Sequence, residues 1–301
     1  MIRHACLFSA CVAFLGALPV HATNGLLAYE GFNYGTQINL DGLNGGVGWT
    51  SPWVDTAQGL FTRVESTGLD YSGLPASPGA AATQDWNSYD WTIYERSFTA
   101  APGDTLYISF LYRPDAAGYG TYGGLSIGGY PNEVWVGSPL GYYTYGLRYG
   151  RYGFSFSNIP EVPGMTVFLV LEVKLLPATS QTHFSLYVNP TPGSPKPAFP
   201  DAEGVLSGGF ALPTGLRIDN DGGVTTDEIR VSTTWEAAAP GPCPGDVNGD
   251  MQADLVDLSI LLSHYGMNGG ATWADGDLSH DGRVDLADLA IMLSYYGAPC
   301  Q

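Results

Sequence analysis

Val167-Phe-Leu-Val-Leu-Glu-Val-Lys174 and Thr105-Leu-Tyr-Ile-Ser-Phe-Leu-Tyr112 decide the fold. Both runs are rich in β-branched and aromatic residues, which suit a pleated surface, and Gly, Pro, Asn and Asp clusters bound them. Trp91-Thr-Ile-Tyr-Glu-Arg-Ser-Phe98 and His183-Phe-Ser-Leu-Tyr-Val188 read the same way. Almost no 3.6-residue period appears between residues 23 and 236, so this stretch is expected to be one antiparallel β-sandwich.

Outside that stretch the chain changes character. A short unit is written twice, starting at Asp246 and again at Asp277, and self-similarity at a fixed period is a structural signature. Each copy spaces oxygen donors as a calcium loop does, at positions 1, 3, 5, 7 (a backbone carbonyl), 9 and 12. In the first copy these are Asp246, Asn248, Asp250, the carbonyl of Gln252, Asp254 and Asp257; in the second they are Asp277, Ser279, Asp281, the carbonyl of Arg283, Asp285 and Asp288. Each loop opens a helix with one apolar face: Leu255, Leu258, Leu261, Leu262 and Tyr265, then Leu286, Leu289, Met292, Leu293 and Tyr296. Gly266 and Gly297 follow as C-terminal stops, with Pro299 after the second. Two Ca2+ ions are the expected cofactors. Loop 277–288 is the stronger site, because Gly282 stands at the sixth position, where the turn wants positive φ, and loop 246–257 has Met251 there.

The repeat resembles the type I dockerin family over roughly residues 243–300. The DVNGD start, the Asp at loop position 12 and the paired LxDLxxLLSxYG helices carry the resemblance. It implies a small all-α calcium-binding domain and a cohesin-like docking protein as partner. In that family loop positions 10 and 11 help select the partner, and here they are Leu255-Val256 and Leu286-Ala287, which implies an apolar contact.

A second resemblance lies in the sandwich. Leu27-Ala-Tyr-Glu-Gly-Phe-Asn-Tyr34, Gly42-Leu-Asn-Gly-Gly-Val-Gly-Trp49 and Thr226-Asp-Glu-Ile-Arg-Val-Ser-Thr-Thr-Trp235 resemble exported bacterial proteins of the concanavalin A-like lectin/glucanase superfamily. That implies a jelly roll far more than an activity. The closing segment is expected to pair near the first strand, with Asp227 and Glu228 as an edge-strand charge pair.

Residues 1–22 read as a secretory signal: Arg3 and His4, an apolar core from Ala5 to Leu18, and a Val20-His21-Ala22 cleavage site. Secretion to the extracellular space or cell surface is expected, and no later segment approaches a membrane span. Removal of the signal leaves two cysteines, Cys243 and Cys300, which bracket the repeat. In an oxidising compartment they are expected to form a disulfide, worth about 4 kcal/mol on chain-entropy grounds. A metal-binding thiolate pair is the lesser reading, since calcium prefers oxygen. Residues 237–242, Ala-Ala-Ala-Pro-Gly-Pro, read as a short semi-rigid linker, with the calcium module running from 243 to 301.

The net charge of −18 makes nucleic acid an unsuitable partner. Nine aspartates stand against a single Arg283 between residues 241 and 301, so folding of the repeat is expected to depend on a cation. Tyr and Gly crowd the segment from Tyr119 to Phe156, and Trp49, Trp53, Trp86, Trp91 and Trp135 are spread through the sandwich. Exposed aromatic rings suit the apolar faces of sugars, and buried ones fill a core. A retaining glycosidase needs two carboxyls about 5–5.5 Å apart, and the E-x-D-x-x-E strand of one glucanase branch is missing. Glu95, Glu133 and Glu172 sit in strand-like runs, and the sequence does not pair them. Gly124-Leu-Ser126-Ile-Gly128 matches a nucleophile-elbow string without the helix that motif needs, and His183 reads as a packing residue. Asp219-Asn-Asp-Gly-Gly223 reads as an Asx-rich loop, with a further calcium-binding turn as the lesser reading. The expected function is a carbohydrate-associated sandwich with a polysaccharide ligand, tethered by its dockerin-like module; the alternative is a glycoside hydrolase of polysaccharide breakdown.

Overall fold

The computed structural model describes residues 25–35, 38–57, 62–65, 67–74, 82–84, 92–114, 122–139, 143–208, 210–221, 223–241, 243–248, 252–279 and 281–297. The segment read as a signal with its expected cleavage site at Ala22, and Trp86, Trp91, Asp250, Met251, Pro299 and Cys300, lie outside the described residues.

The strands, in chain order, are β1 (Leu26–Glu30), β2 (Val54–Asp55), β3 (Thr62–Val64), β4 (Ala82–Gln84), β5 (Thr92–Ser97), β6 (Thr105–Pro114), β7 (Tyr122–Ile127), β8 (Val134–Ser138), β9 (Thr144–Tyr149), β10 (Gly153–Pro160), β11 (Val167–Leu176), β12 (Gln181–Val188), β13 (Ala202–Ser207), β14 (Gly215–Asp221) and β15 (Val224–Ser232). Among the described residues they form two antiparallel sheets. The back sheet runs β13-β12-β11-β6-β15-β4-β3, with β1 also on β15, and the front sheet runs β10-β9-β8-β7-β14-β5-β2.

The two runs that decide the fold are direct neighbours, paired from Val167↔Tyr112 to Lys174↔Thr105. Their continuous apolar character has a physical cause, because β11 is buried on both faces. Leu169, Leu171 and Val173 point into the core between the sheets. Phe168 and Val170 point outward into a second apolar layer, with Tyr107, Tyr187 and Trp235.

That second layer is roofed by the stretch expected as a linker. Helix α1 (Trp235–Ala238) starts on an N-cap from Thr234 and buries Trp235, Ala237 and Ala238. Ser109 Oγ donates to the Ala238 carbonyl at 2.6 Å, and Gly193 N to that of Ala239 at 2.9 Å. Residues 237–241 are therefore packed on the back sheet, where alanine is small enough to lie flat.

The closing segment pairs with the first strand, as Leu26↔Ser232 through Glu30↔Ile229. The edge-strand reading of Asp227 and Glu228 is corrected: β15 lies between β6 and β4, and all nine of its residues are buried. Charge survives there because it is paired. Glu228 accepts from Tyr29 Oη at 2.7 Å and Arg230 Nη2 at 2.5 Å, and Asp227 accepts from the Leu69 amide at 2.7 Å. A bulge between Asp227 and Arg230, with Glu228 at φ +52°, turns these side chains outward together.

The repeat folds into α2 (Leu255–Ser263) and α3 (Leu286–Tyr295). The copies clasp reciprocally: Gly266 N, after α2, donates to the Val284 carbonyl, and Gly297 N, after α3, donates to that of Ala253, each at 2.8 Å. Both glycines have positive φ, as helix stops there require. Val247, Leu261, Leu278, Val284 and Met292 form the small core beneath. Among the described residues, no helix is long and apolar enough to cross a membrane.

Candidate functional site

Strand register builds one transverse row across the outer face of the front sheet. Val54 pairs with Glu95, Glu95 with Arg217, Arg217 with Ser126, Ser126 with Trp135, Trp135 with Arg148, and Arg148 with Phe154. Strand neighbours lie ~4.8 Å apart, so these six steps span on the order of 30 Å. The alternate residues Tyr94, Leu125, Val134 and Leu147 point the other way, into the core.

At the β5–β14–β7 end the row opens into a cleft of about 510 Å3. Glu95 and Arg217 stand in it, Phe210 and Leu212 give apolar surface, and Asn132 and Thr214 give polar surface. Further along, Glu133 bridges two cations. Its carboxylate accepts from Arg148 Nη2 at 2.5 Å and from Arg217 Nη2. Arg217 also donates to the Gly128 carbonyl at 3.1 Å. The arginine–glutamate–arginine ladder runs from β14 to β9, and the residues between them in the row, Ser126 and Trp135, are wholly buried.

The sequence-derived candidates distribute as follows. Glu95 and Glu133 come to the same face, both linked to Arg217, one by register and one by an ion pair. Glu172 goes to the opposite sheet, where Lys196 Nζ (2.9 Å), Tyr107 Oη (3.1 Å) and Tyr187 Oη (3.4 Å) take its carboxylate. Burial is the leading cause that pushes both phenols above the ordinary tyrosine value, and the Glu172 charge adds to it. Ser126 is mid-strand in β7 and donates to Asp219 Oδ2 at 3.0 Å, so the elbow string is not an elbow. His183 is corrected from packing to exposed, opposite Lys174. Asp219 belongs to β14 and not to a loop. Tyr145 and Trp53 are core, Trp135 is wholly buried within the outer row, and Tyr130, Tyr143 and Tyr152 are exposed. Arg148 and Arg217 had no signal in the sequence, because only register places them.

In the repeat, Asp257 Oδ1 accepts from the amides of Val247 (2.7 Å) and Asn248 (2.9 Å), and its Oδ2 from Asp254 (2.9 Å). Asp288 accepts from Ser279 N (2.8 Å) and Asp285 N (2.7 Å). Burial raises the Asp288 pKa, but these amides outweigh it and hold the carboxyl below its usual value. Asp277 accepts from the amides of Asp281 (3.2 Å) and Gly282 (2.8 Å), and from Ser279 Oγ at 3.4 Å. Gly282 takes φ +80°, the conformation expected at the sixth loop position. Among the described residues no three acidic, histidine or cysteine groups converge as a ready metal cluster. The expected ligands of loop two are all oxygen, the donor type a hard cation takes.

No protein-family model matches the chain, and no curated protein is similar to it in sequence. Solved structures give distant likenesses. The cellulose-induced protein Cip1 is 12% identical over 60% of this chain and 91% of its own, with a TM-score of 0.36. A carbohydrate esterase from a Shiga toxin-encoding bacteriophage is 10% identical over 60% and 90%, with 0.38. A Trypanosoma rangeli sialidase is 14% identical over 70% of this chain, which spans 31% of the sialidase, with 0.38. Similarity this low says nothing of activity, and the sandwich is read from the strand pairing alone.

Proposed function

We propose that this is a secreted carbohydrate-binding β-sandwich, attached to a complex or cell surface through a calcium-dependent, dockerin-like module. The observation that carries the binding reading is the cleft beside Glu95. It offers an exposed carboxylate, amide and hydroxyl groups and the ring of Phe210, a mixture that suits polyhydroxylated rings with apolar faces. A glycoside hydrolase needs two carboxyls with separate duties. Among the described residues Glu133 is held by two guanidinium groups and no second carboxyl stands beside Glu95 in the cleft, so binding is favoured over hydrolysis.

For the module, the support is the pair of oxygen-rich loops, the reciprocal clasp between the copies and the apolar residues the helices leave outside. Asp277, Ser279, Asp281, Arg283 (by its carbonyl), Asp285 and Asp288 would hold one Ca2+, and Asp246, Asn248, Asp250, Gln252 (by its carbonyl), Asp254 and Asp257 the other. Each ion would neutralise a cluster of aspartates. Leu255, Val256, Leu262 and Tyr265 on one copy, and Leu286, Leu293 and Tyr296 on the other, are 45–68% exposed, a surface suited to an apolar docking partner such as a cohesin-like protein. Cys243 is disulfide-bonded, which supports its expected bridge to Cys300.

The binding reading is tested by affinity electrophoresis of the full chain through gels holding neutral polysaccharides (β-glucan, xylan or mannan). Retardation that Glu95→Gln weakens is expected. Unretarded migration in every gel would refute it.

A further inference from the structure

The outer face of the front sheet carries a second cluster of apolar surface, separate from the cleft. Tyr130 is 73% exposed, Tyr152 77% and Phe154 37%. Rings as open to water as Tyr130 and Tyr152 contribute little to the core, and exposed apolar surface of this kind marks a binding surface. Register fixes where they lie. Phe154 is the last residue of the transverse row that begins at Val54 and Glu95, and it stacks on Phe156 at 6.1 Å with 9° between the planes. Tyr152 sits at the tip of the β9–β10 hairpin, with the Arg151 guanidinium 5.2 Å from its ring. The hairpin tip is tied to the loop that bears Tyr130 by a 2.9 Å bond from Gly150 N to the Glu133 carbonyl. That same loop supplies Gly129 and Asn132 to the cleft. Tyr130 therefore stands between cleft and hairpin.

We propose that Tyr130, Tyr152 and Phe154 form a distal subsite, so that the sandwich grips an extended, uncharged polysaccharide along its length instead of capturing a chain end. This rests on the carbohydrate-binding reading of the cleft and deepens it. The length follows from geometry: Glu95 and Phe154 are five strands apart, ~24 Å at ~4.8 Å per strand, farther than one sugar ring reaches. The lack of charge follows from the ladder. Both arginines of the row are spent on Glu133, and Glu95 adds an exposed negative charge to a chain of net charge −18. At the cleft a polyuronate would meet the Glu95 carboxylate where both arginines of the row are already engaged by Glu133; Arg151, against the Tyr152 ring, stands at the far end of the row.

Calorimetric titration of the full chain tests this, with neutral β-glucan, xylan and mannan, their di- to hexasaccharides, and polygalacturonate as probes. Affinity is expected to rise with oligosaccharide length. The Tyr152→Ala/Phe154→Ala pair should lower affinity for the long neutral chain at least tenfold while leaving the disaccharide unchanged, with polygalacturonate inert throughout. Tyr152 is 77% exposed, so Tyr152→Ala alone, measured beside the pair, should leave the melting temperature in place and still lower long-chain affinity. Long-chain binding that Glu95→Gln weakens and the aromatic pair leaves intact would overturn the distal subsite alone. Preference for polygalacturonate would overturn the uncharged-chain claim. No heat with any probe would remove the carbohydrate reading and this inference with it.

Discussion

At the scale of single residues, the sandwich buries more charge than hydrophobic patterning predicts, and among its most enclosed ion pairs is Glu30 with Arg96. Glu30 and Arg96 are wholly buried between the sheets. The carboxylate accepts from Phe32 N (2.8 Å), Tyr34 Oη (2.7 Å), Trp53 Nε1 (3.1 Å) and the guanidinium. Arg96 in turn donates to the Ser51 and Gly45 carbonyls and to Asn44, and lies 4.8 Å from the Trp49 ring centroid. One ion pair thus pins the long segment between β1 and β2. Arg96→Met should strand a buried carboxylate, costing about 3–5 kcal/mol and lowering the melting temperature on the order of 10 °C. The Glu30→Gln/Arg96→Met double variant should lose less, and equal losses would show that the pairing is unimportant. The buried phenols make a second prediction. Tyr94 is pushed up to about 12, by burial first and then by the Asp55 carboxylate, and Tyr29, Tyr34 and Tyr145 are raised for the same leading reason. A phenol that holds its proton more tightly when folded stabilises fully below the unfolded value of ~10, and that stability drains away as pH rises through the folded value. Phenolate absorbance should therefore appear in two stages, the later one together with loss of β circular dichroism. A single reversible stage near the ordinary tyrosine pKa, with the fold intact, would contradict it.

At the scale of elements, helices α2 and α3 divide their apolar residues in a way the heptad-like spacing conceals. Leu261 is fully buried, yet its neighbour Leu262 is 52% exposed, and Met292 and Leu293 repeat the division. Leu261→Ala should cost about 2–5 kcal/mol through the cavity it leaves, whereas Leu262→Ala should stay within about 0.5 kcal/mol. Denaturant unfolding of the two variants measures both, and similar losses would mean that the outer face is packed in the free protein. The same distinction shows what sequence can yield. β6 and β11 were legible because burial on both faces leaves a continuous apolar run. β2, β3 and β4, of two or three residues each, carry too little pattern to announce themselves. The stretch from Ala237 was read as a linker because three alanines close to two prolines look like a spacer, until Trp235 is seen to lead them onto the sheet in helix α1. Glu95 and Glu133 were visible as strand carboxylates. Their meeting at Arg217 was not, because register between distant strands is set by the whole sheet and no local signal records it.

At the scale of the whole molecule, the acidic repeat poses an electrostatic problem that the sandwich does not share. Asp246, Asp257, Asp277 and Asp288 are buried to 3% exposure or less, and the only lysine or arginine in this region is Arg283. Backbone amides offset part of the cost, as at Asp288, but an amide dipole does not cancel a full charge. A bound divalent cation would, and it would stabilise the folded repeat by mass action, about 2.7 kcal/mol at a hundred times its dissociation constant. Calorimetric scans of the full chain in chelator and in calcium should therefore show one transition moving up with calcium while the sandwich transition stays. Asp277→Ala should abolish more of that shift than Asp246→Ala, because Gly282 gives loop two its positive-φ turn where loop one has Met251. Superimposable scans in chelator and calcium, with no heat on titration, would end the calcium proposal. The amides that now close each loop would then be its sole support, and the exposed leucines of α2 and α3 would lose their claim to a calcium-dependent partner.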